Sequence, residues 1–82
     1  MSFKSLSDKH KNKYIKIGLN IAYHRKQKGI SQLELAEKAG ISRSFMSAIE
    51  APRMPIGISM ESLFEIADAL EIDPHKLLMF RE

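Results

Sequence analysis

"SQLELAEKAGISRSFMSAIE" occupies residues 31–50 and decides the fold, because it contains two short helical patterns with one glycine between them. Apolar residues recur at helical spacing in both halves, and Met46 and Ile49 fall on one face of the second. Gly40 suits a turn that needs a positive φ angle, and two helices joined by so short a turn cross steeply. The small side chain of Ala36 allows the backbones to approach closely. The stretch therefore predicts a helix pair that holds the N-terminal end of its second helix outward.

Composition restricts the class of protein. The chain has 82 residues, enough for one domain, and 44% of them are apolar, which is ordinary for a globular protein. It contains no cysteine, which excludes a disulfide framework and a thiolate metal site. No apolar run is long enough for a membrane span and no secretory signal core is present. We therefore expect a soluble, cytoplasmic protein that does not enter a membrane.

The charge of the chain is distributed unevenly. Residues 1–28 carry eight basic side chains and one acidic side chain, whereas residues 29–82 carry five basic and nine acidic ones. A molecule polarised in this way can approach a polyanion with its basic end. A well-solvated N-terminal helix explains the same pattern, so charge alone does not separate the two interpretations.

One local pattern occurs at four predicted helix starts. An oxygen-bearing residue directly follows an isoleucine, and an apolar residue lies four positions after the oxygen-bearing one. The pattern combines an N-cap with a hydrophobic staple. Its four N-cap candidates are Ser31, Ser42, Ser59 and Asp73. Together with Gly29, Gly40 and the three prolines, these starts predict a compact all-α domain without strands. The five predicted helices cover about 9–28, 32–39, 43–51, 60–70 and 74–80, and residues 1–8 are predicted to form a flexible basic arm.

The apolar faces of the first four helices predict the core. Packing explains these faces better than any cofactor site does. The predicted core residues are Tyr14, Ile17, Gly18, Ile21, Ala22, Leu33, Leu35, Ala36, Ala39, Phe45, Met46, Ile49, Leu63, Ile66, Ala67 and Leu70.

Three consecutive segments resemble the phage-repressor and Cro-like helix-turn-helix family: "IGLNIAYHRKQKG" (17–29), "SQLELAEKAGISRSFMSAIE" (31–50) and "SMESLFEIADALEIDPHKLL" (59–78). The resemblance implies a five-helix, lambda-repressor-like fold over residues 9–82. It also implies that the third helix lies in the major groove of double-stranded DNA. Members of the family bind near-palindromic operators as dimers, so a homodimer and double-stranded DNA are the implied partners.

By the same resemblance, the polar face of the third helix reads bases through Arg43, Ser44, Ser47 and Ala48. An arginine can make a bidentate contact to guanine O6 and N7, serines can donate or accept, and an alanine methyl can touch thymine. The alternative is a solvent-exposed, serine-rich face without a partner.

The resemblance assigns further roles outside this face. Gln32 matches a position that contacts phosphate and supports the first base-reading residue. Lys28 and Arg53 are weaker phosphate candidates, and a plain solvated charge is the alternative for each. Arg25 lies within the apolar face of the first helix, where an unpaired charge is costly, and matches an arginine that pairs with the residue at Glu50.

The chain departs from the family after the third helix. The family usually has a glycine two residues after the Glu50 position, whereas here residues 51–57 read APRMPIG. Two prolines and no early glycine predict a stiffer exit from the helix. Phosphate contacts that relatives make from this loop are therefore left open.

Apolar residues near the C-terminus suggest a dimer interface, because a short helix with apolar residues on several sides exceeds what one domain can cover. A tail tucked against its own domain is the alternative. The predicted interface residues are Leu78, Met79, Phe80, Phe64, Ile56 and Ile58.

The three histidines are scattered without metal-ligand spacing, so we expect no enzyme, no metal and no cofactor. The predicted function is a sequence-specific transcriptional regulator whose dimer binds half-sites about 10 bp apart. A phage-type repressor, a restriction–modification controller and an antitoxin are the candidate types. RNA polymerase is a possible further partner, and no small-molecule ligand is expected, because little chain remains for an effector domain. The alternative is a protein-interaction module that keeps the fold without binding DNA.

Overall fold

The computed structural model describes residues 8–80, and this part of the chain forms four α-helices and one short 3₁₀ helix. The α-helices are α1 (Asp8–Lys28), α2 (Gln32–Ala39), α3 (Arg43–Glu50) and α4 (Met60–Leu70), and the 3₁₀ helix covers Pro74–Leu78. The described residues contain no strand, as predicted. None of these helices combines the length and apolar character that crossing a membrane requires.

Serine side chains cap three of the helices as predicted. Ser31 accepts a hydrogen bond from the Glu34 backbone N–H at 3.0 Å, and the Glu34 carboxylate accepts one from the Ser31 N–H at 2.9 Å. Ser42 and Ser59 cap α3 and α4 through single bonds of 3.0 Å. Each bond satisfies a backbone donor that has no partner within its helix.

The prediction of a fifth α-helix over 74–80 is wrong in type and length. Asp73 occupies the N-cap position but makes no capping hydrogen bond with its side chain. Pro74 follows at the first helical position, and the helix has five residues. A segment this short gains few α-helical bonds, so the tighter 3₁₀ form is adopted. Residues 79 and 80 are not helical, and Met79 has extended backbone angles of φ −85° and ψ 103°.

The core lies where α1, α2, α3 and α4 meet, and Leu77 of the 3₁₀ helix closes it. Most predicted core residues are buried or packed against the buried ones, but Leu33 is 48% exposed. Leu33 lies about 110° around α2 from the face that carries Leu35, Ala36 and Ala39, because a helix turns about 100° per residue. It therefore points away from the core.

Gly18 sets the distance between α1 and α3. A Cβ atom at this position would overlap the backbone carbonyl oxygen of Ile49, near the end of α3. The glycine therefore allows the two helix backbones to touch. This contact fixes the C-terminal end of α3 against the middle of α1.

Residues 1–7 and 81–82 lie outside the described part of the chain. Most of the predicted N-terminal arm falls there, except Asp8, which is the first residue of α1. Within α1, Asp8 pairs with Lys11 at 2.7 Å across one turn.

Candidate nucleic-acid interface

The turn between α2 and α3 has the geometry that its glycine predicts. Gly40 adopts the left-handed conformation, with φ 72° and ψ 30°. The Ile41 N–H then donates to the Ala36 carbonyl at 3.0 Å and closes the end of α2. Ala36 is buried, and only two residues separate Gly40 from the first residue of α3. The two helices therefore form a tight helix-turn-helix unit.

The two faces of α3 differ in exposure and in chemistry. Met46, Ile49 and Glu50 are buried against the domain. On the opposite side and at the N-terminal end, Arg43, Ser44 and Ser47 are exposed, and Ala48 is partly exposed. All four predicted base-reading residues therefore lie on the accessible part of one short helix. Arg43 is its first residue, directly after the Ser42 cap.

A nearly buried ion pair supports the other end of α3. The Arg25 guanidinium donates to the Glu50 carboxylate through Nε at 2.8 Å and through Nη2 at 3.0 Å. The side chains are 12% and 5% exposed, so water competes little with this bidentate contact. Hydrogen bonding to Glu50 raises the pKa of Arg25 above its usual value. Arg25 also donates to the Ile30 carbonyl at 2.9 Å, which links the pair to the chain before α2.

Gln32 belongs to the same network, which was not expected from the sequence. Its side-chain Nε2 donates to the Glu50 carboxylate at 2.9 Å. Glu50 therefore accepts hydrogen bonds from α1 and from the first residue of α2, and it joins three helices at one carboxylate. One N–H of the Gln32 amide is committed to this contact, which leaves the other for the phosphate contact that the resemblance implies.

Lys28 forms an exposed ion pair. Its ammonium group lies 2.6 Å from the Glu71 carboxylate, at the end of α4. Hydrogen bonding to Lys28 lowers the pKa of Glu71, which adopts a left-handed conformation with φ 59°. A phosphate contact by Lys28 stays a prediction, and the fold brings a carboxylate to this lysine from 43 residues along the chain. Nothing in the local sequence indicates this pair.

The loop after α3 leaves the helix in an extended conformation, with φ −69° and ψ 125° at Ala51. This exit differs from the left-handed turn that a glycine would favour, as the two prolines predict. Pro55 is buried, whereas Arg53 and Met54 are exposed on the preceding turn. Arg53 therefore remains accessible as a phosphate candidate.

Three of the six predicted dimer residues, Ile58, Leu78 and Phe80, line one hollow together with Met60. Phe64 and Leu78 are exposed, and together with Met60 they form what we call the α4 patch. Ile56 and Ile58 are partly buried against the core of their own domain. Met79 and Phe80 line a groove beside α1, and Phe80 also lines the hollow that contains Met60 and Leu78.

The described residues contain no group of three or more side chains suited to hold a metal ion. Each buried polar side-chain atom in this part of the chain has a hydrogen-bond partner. The buried Glu50 is thus fully accounted for by its contacts with Arg25 and Gln32.

These features define an all-helical protein built around a helix-turn-helix unit. The helix-turn-helix family profile matches residues 21–77, and the chain belongs to this family, in its phage-repressor and Cro-like branch. Among curated proteins, the transcriptional regulator SinR of Bacillus subtilis (strain 168) is 40% identical over 62 residues, 76% of this chain and 55% of SinR. The chain therefore spans about half the length of the curated relatives it matches.

Solved structures show the same fold. The structure of SinR in complex with DNA is 40% identical, has a TM-score of 0.71, and the match covers 77% of this chain and 98% of that one. The restriction–modification controller protein C.AhdI from Aeromonas hydrophila is 31% identical at a TM-score of 0.72, covering 78% and 94%. The hypothetical transcription factor NHTF from Neisseria is 30% identical at 0.77, covering 93% and 84%.

Proposed function

We propose that this protein is a sequence-specific transcriptional regulator that binds double-stranded DNA with α3 in the major groove. The main observation in support of this proposal is that Arg43, Ser44 and Ser47 lie on the exposed, N-terminal part of α3. The Glu50 network and Gly18 hold the opposite end of the helix against α1. The reading surface is therefore attached to a rigid support, which recognition of base edges requires.

Similarity to regulators supports the same function. SinR is bound to DNA in one of the similar structures, and the match covers almost all of that chain. A second group of similar structures consists of restriction–modification controllers. We propose a homodimer joined through the α4 patch, acting in the cytoplasm by promoter occlusion or by contact with RNA polymerase.

The phosphate contacts proposed for this protein are fewer than the sequence suggested. Arg53 is exposed beside the end of α3, and Gln32 keeps one amide N–H for a phosphate. Lys28 is paired with Glu71, and its contact with phosphate stays a prediction rather than part of this proposal. Basic side chains neutralise phosphates and release counterions, so affinity for DNA must fall as salt rises.

Selection of bound duplexes from a random pool tests the proposal and yields the operator. We expect enriched sequences with two related half-sites about 10 bp apart, since a two-fold dimer places two recognition helices one helical turn of DNA apart. Binding to the selected duplex should weaken steeply between about 0.05 and 0.2 M salt. A protein-interaction module would enrich no sequence and show no such salt dependence, and that result would refute the proposal.

A further inference from the structure

A groove of about 480 Å³ lies between α1 and the C-terminal end of the described chain. Its apolar side chains are Leu19, Tyr23, Met79 and Phe80, and Lys16 and Lys76 flank them. Leu19, Tyr23 and Met79 are each between 44% and 58% exposed. We call this surface the α1 groove. Large apolar side chains exposed together in a concave site favour a partner over solvent.

The α1 groove faces away from α3. Lys16, Leu19 and Tyr23 share one face of α1, because they are spaced three, four and seven residues apart. Gly18 and Arg25, which contact α3, lie about 140° around the helix from this face at 100° per residue. A molecule in the groove therefore does not compete with DNA for the exposed face of α3.

The groove is preformed by contacts within the chain. The Asn20 side-chain amide donates to the Leu77 carbonyl and to the Met79 carbonyl, each at 3.0 Å. Both N–H groups of the amide are thus used to hold the C-terminal segment against α1. The Lys16 ammonium lies 5.8 Å from the centroid of the Phe80 ring, within the range of a cation–π contact. Because these contacts already order the residues that line the groove, binding of a partner would lose little free energy to ordering them.

The charge of the groove indicates the chemistry of its occupant. Lys16 and Lys76 flank the apolar floor, and among the described residues no acidic side chain lines it. Acidic groups on a partner would complement these lysines. Residues 8–80 have no sheet edge to which an extended peptide could add. An amphipathic helix presents apolar and acidic side chains on adjoining faces, which matches an apolar floor flanked by lysines. The stretch from Lys16 to Tyr23 spans about 10 Å, or two helical turns.

We propose that the α1 groove binds an acidic amphipathic helix of a partner protein, whose apolar side chains contact Leu19, Tyr23 and Met79 and whose carboxylates face Lys16 and Lys76. Residues 1–7 of this chain do not fit, because they carry Lys4 and no carboxylate. A second copy could offer the acidic face of α4, which carries Glu61, Glu65 and Asp68. Such a contact would join two different surfaces, and unless each groove received the other copy's α4 it would build rings or open chains rather than a two-fold dimer.

A synthetic peptide tests the proposal with the full chain. The probe is a helix of about 14 residues with leucines at positions i, i+3, i+4 and i+7 and glutamates beside them. Titration into nitrogen-15-labelled protein should shift amide signals within residues 16–24 and 76–80. The affinity should fall as salt rises from about 0.05 to about 0.5 M, because the charge contacts are exposed. A peptide of the same composition with its leucine positions scrambled should not bind.

Two variants test whether binding of the peptide depends on the α1 groove. Leu19→Glu and Lys16→Glu should each weaken peptide binding by about tenfold or more, whereas Lys38→Glu on α2, which makes the same change in net charge as Lys16→Glu, should have little effect. Circular dichroism and thermal melting check that each variant is folded. Absence of binding at millimolar peptide, shifts elsewhere on the surface, or equal weakening by Lys38→Glu would overturn the proposal. Loss of self-association in Leu19→Glu, without loss of peptide binding, would identify a second copy as the occupant and overturn it also.

Discussion

At the scale of single residues, Arg43 and Glu50 show that the two ends of α3 differ in exposure and in the contacts that they can make. Arg43 lies at the exposed start of α3, where a guanidinium can reach a base edge. Glu50 lies at the buried end, where its carboxylate accepts three hydrogen bonds from two side chains. The ends are seven residues apart, about 10 Å along the helix axis. The proposed contacts with DNA and the observed contacts with the core therefore involve different side chains.

Replacement of Arg43 tests its proposed role in reading a base. Arg43→Ala should relax the preference at one position in each half-site by about 1–3 kcal/mol, because a bidentate contact to guanine is lost. Binding measurements on the selected operator and on its single-base variants give this number. Arg53→Ala is the matched control: loss of a phosphate contact should weaken all sequences alike and reduce the salt slope by about one. If Arg43→Ala behaved in the same way, Arg43 would be a phosphate contact.

Glu71 has a left-handed backbone conformation that side chains with a Cβ rarely adopt. Glu71→Gly should therefore raise the free energy of unfolding by about 0.5–1 kcal/mol. The lost pair with Lys28 offsets little of this gain, since both groups are exposed and such pairs contribute little. Thermal denaturation measures the change. Glu71→Gln removes the charge but keeps the Cβ, and it should be no more stable than the parent; a stabilised Glu71→Gln would contradict the backbone explanation.

At the scale of elements, α1 is the support on which the other helices are assembled. Its middle touches α3 at Gly18, and Arg25 binds the end of α3 and the carbonyl of Ile30. Farther round the same helix, Asn20 holds the C-terminal segment. The position and angle of α3 thus depend on residues that do not lie in the helix-turn-helix unit.

The close contact at Gly18 predicts that adding one methyl group there greatly lowers the free energy of unfolding. Gly18→Ala should lower the free energy of unfolding by about 1–3 kcal/mol, because the added methyl overlaps the Ile49 carbonyl and separates the helices. The better helix propensity of alanine recovers only about 1 kcal/mol or less. Urea denaturation gives the values. Gly29→Ala is a useful comparison, since its Cβ would meet open space and only backbone strain acts there; equal losses at both sites would argue against the steric explanation.

The Arg25–Glu50 pair predicts that substitutions of its two residues have non-additive effects on the free energy of unfolding. Arg25→Met leaves the Glu50 charge nearly buried without its main partner, and should cost about 3–5 kcal/mol of stability. The double change Arg25→Met with Glu50→Leu removes both charges, so much of that loss should be recovered. Denaturant midpoints for the parent, both single variants and the double variant complete the cycle. Simple additivity of the two single changes would show that the pair is not coupled.

At the scale of the whole molecule, the described residues present three separate surfaces. The exposed face of α3 is proposed for DNA, the α4 patch for a second copy, and the α1 groove for an acidic helix. Met60 and Phe64 lie one turn apart on α4, and Met60 and Leu78 line a common hollow of about 330 Å³. Separate surfaces allow one small domain to bind several molecules at once.

Sedimentation equilibrium tests the dimer surface. Phe64→Glu should raise the dissociation constant of the dimer by at least about tenfold, or 1.4 kcal/mol, because it places a charge in an apolar contact. Met79→Glu adds the same charge in the α1 groove and should leave the dimer intact. If Met79→Glu dissociated the dimer and Phe64→Glu did not, the interface would lie on the α1 side of the C-terminal segment.

The sequence alone predicted the bounds of α1 to α4 to within one residue, three serine caps, the glycine turn and the polar face of α3. Each of these depends on residues within about four positions of one another, and the periodicity of a helix relates such residues directly. The tight turn at Gly40 and the exposure of Arg43, Ser44 and Ser47 follow from the same local rules. The resemblance to a known family added the role of this face and the partner of Arg25.

Only the tertiary structure decided which distant groups meet. It brought Glu71 to Lys28, gave Glu50 the second partner Gln32, let Asn20 donate to the C-terminal carbonyls, and placed Phe80 in both the α1 groove and the hollow beside Met60. These contacts depend on how whole helices pack, since partners lie 18 to 59 residues apart. An exposed lysine or glutamine has the same local pattern whether it faces water or a carboxylate, so local sequence cannot identify the partner that packing supplies.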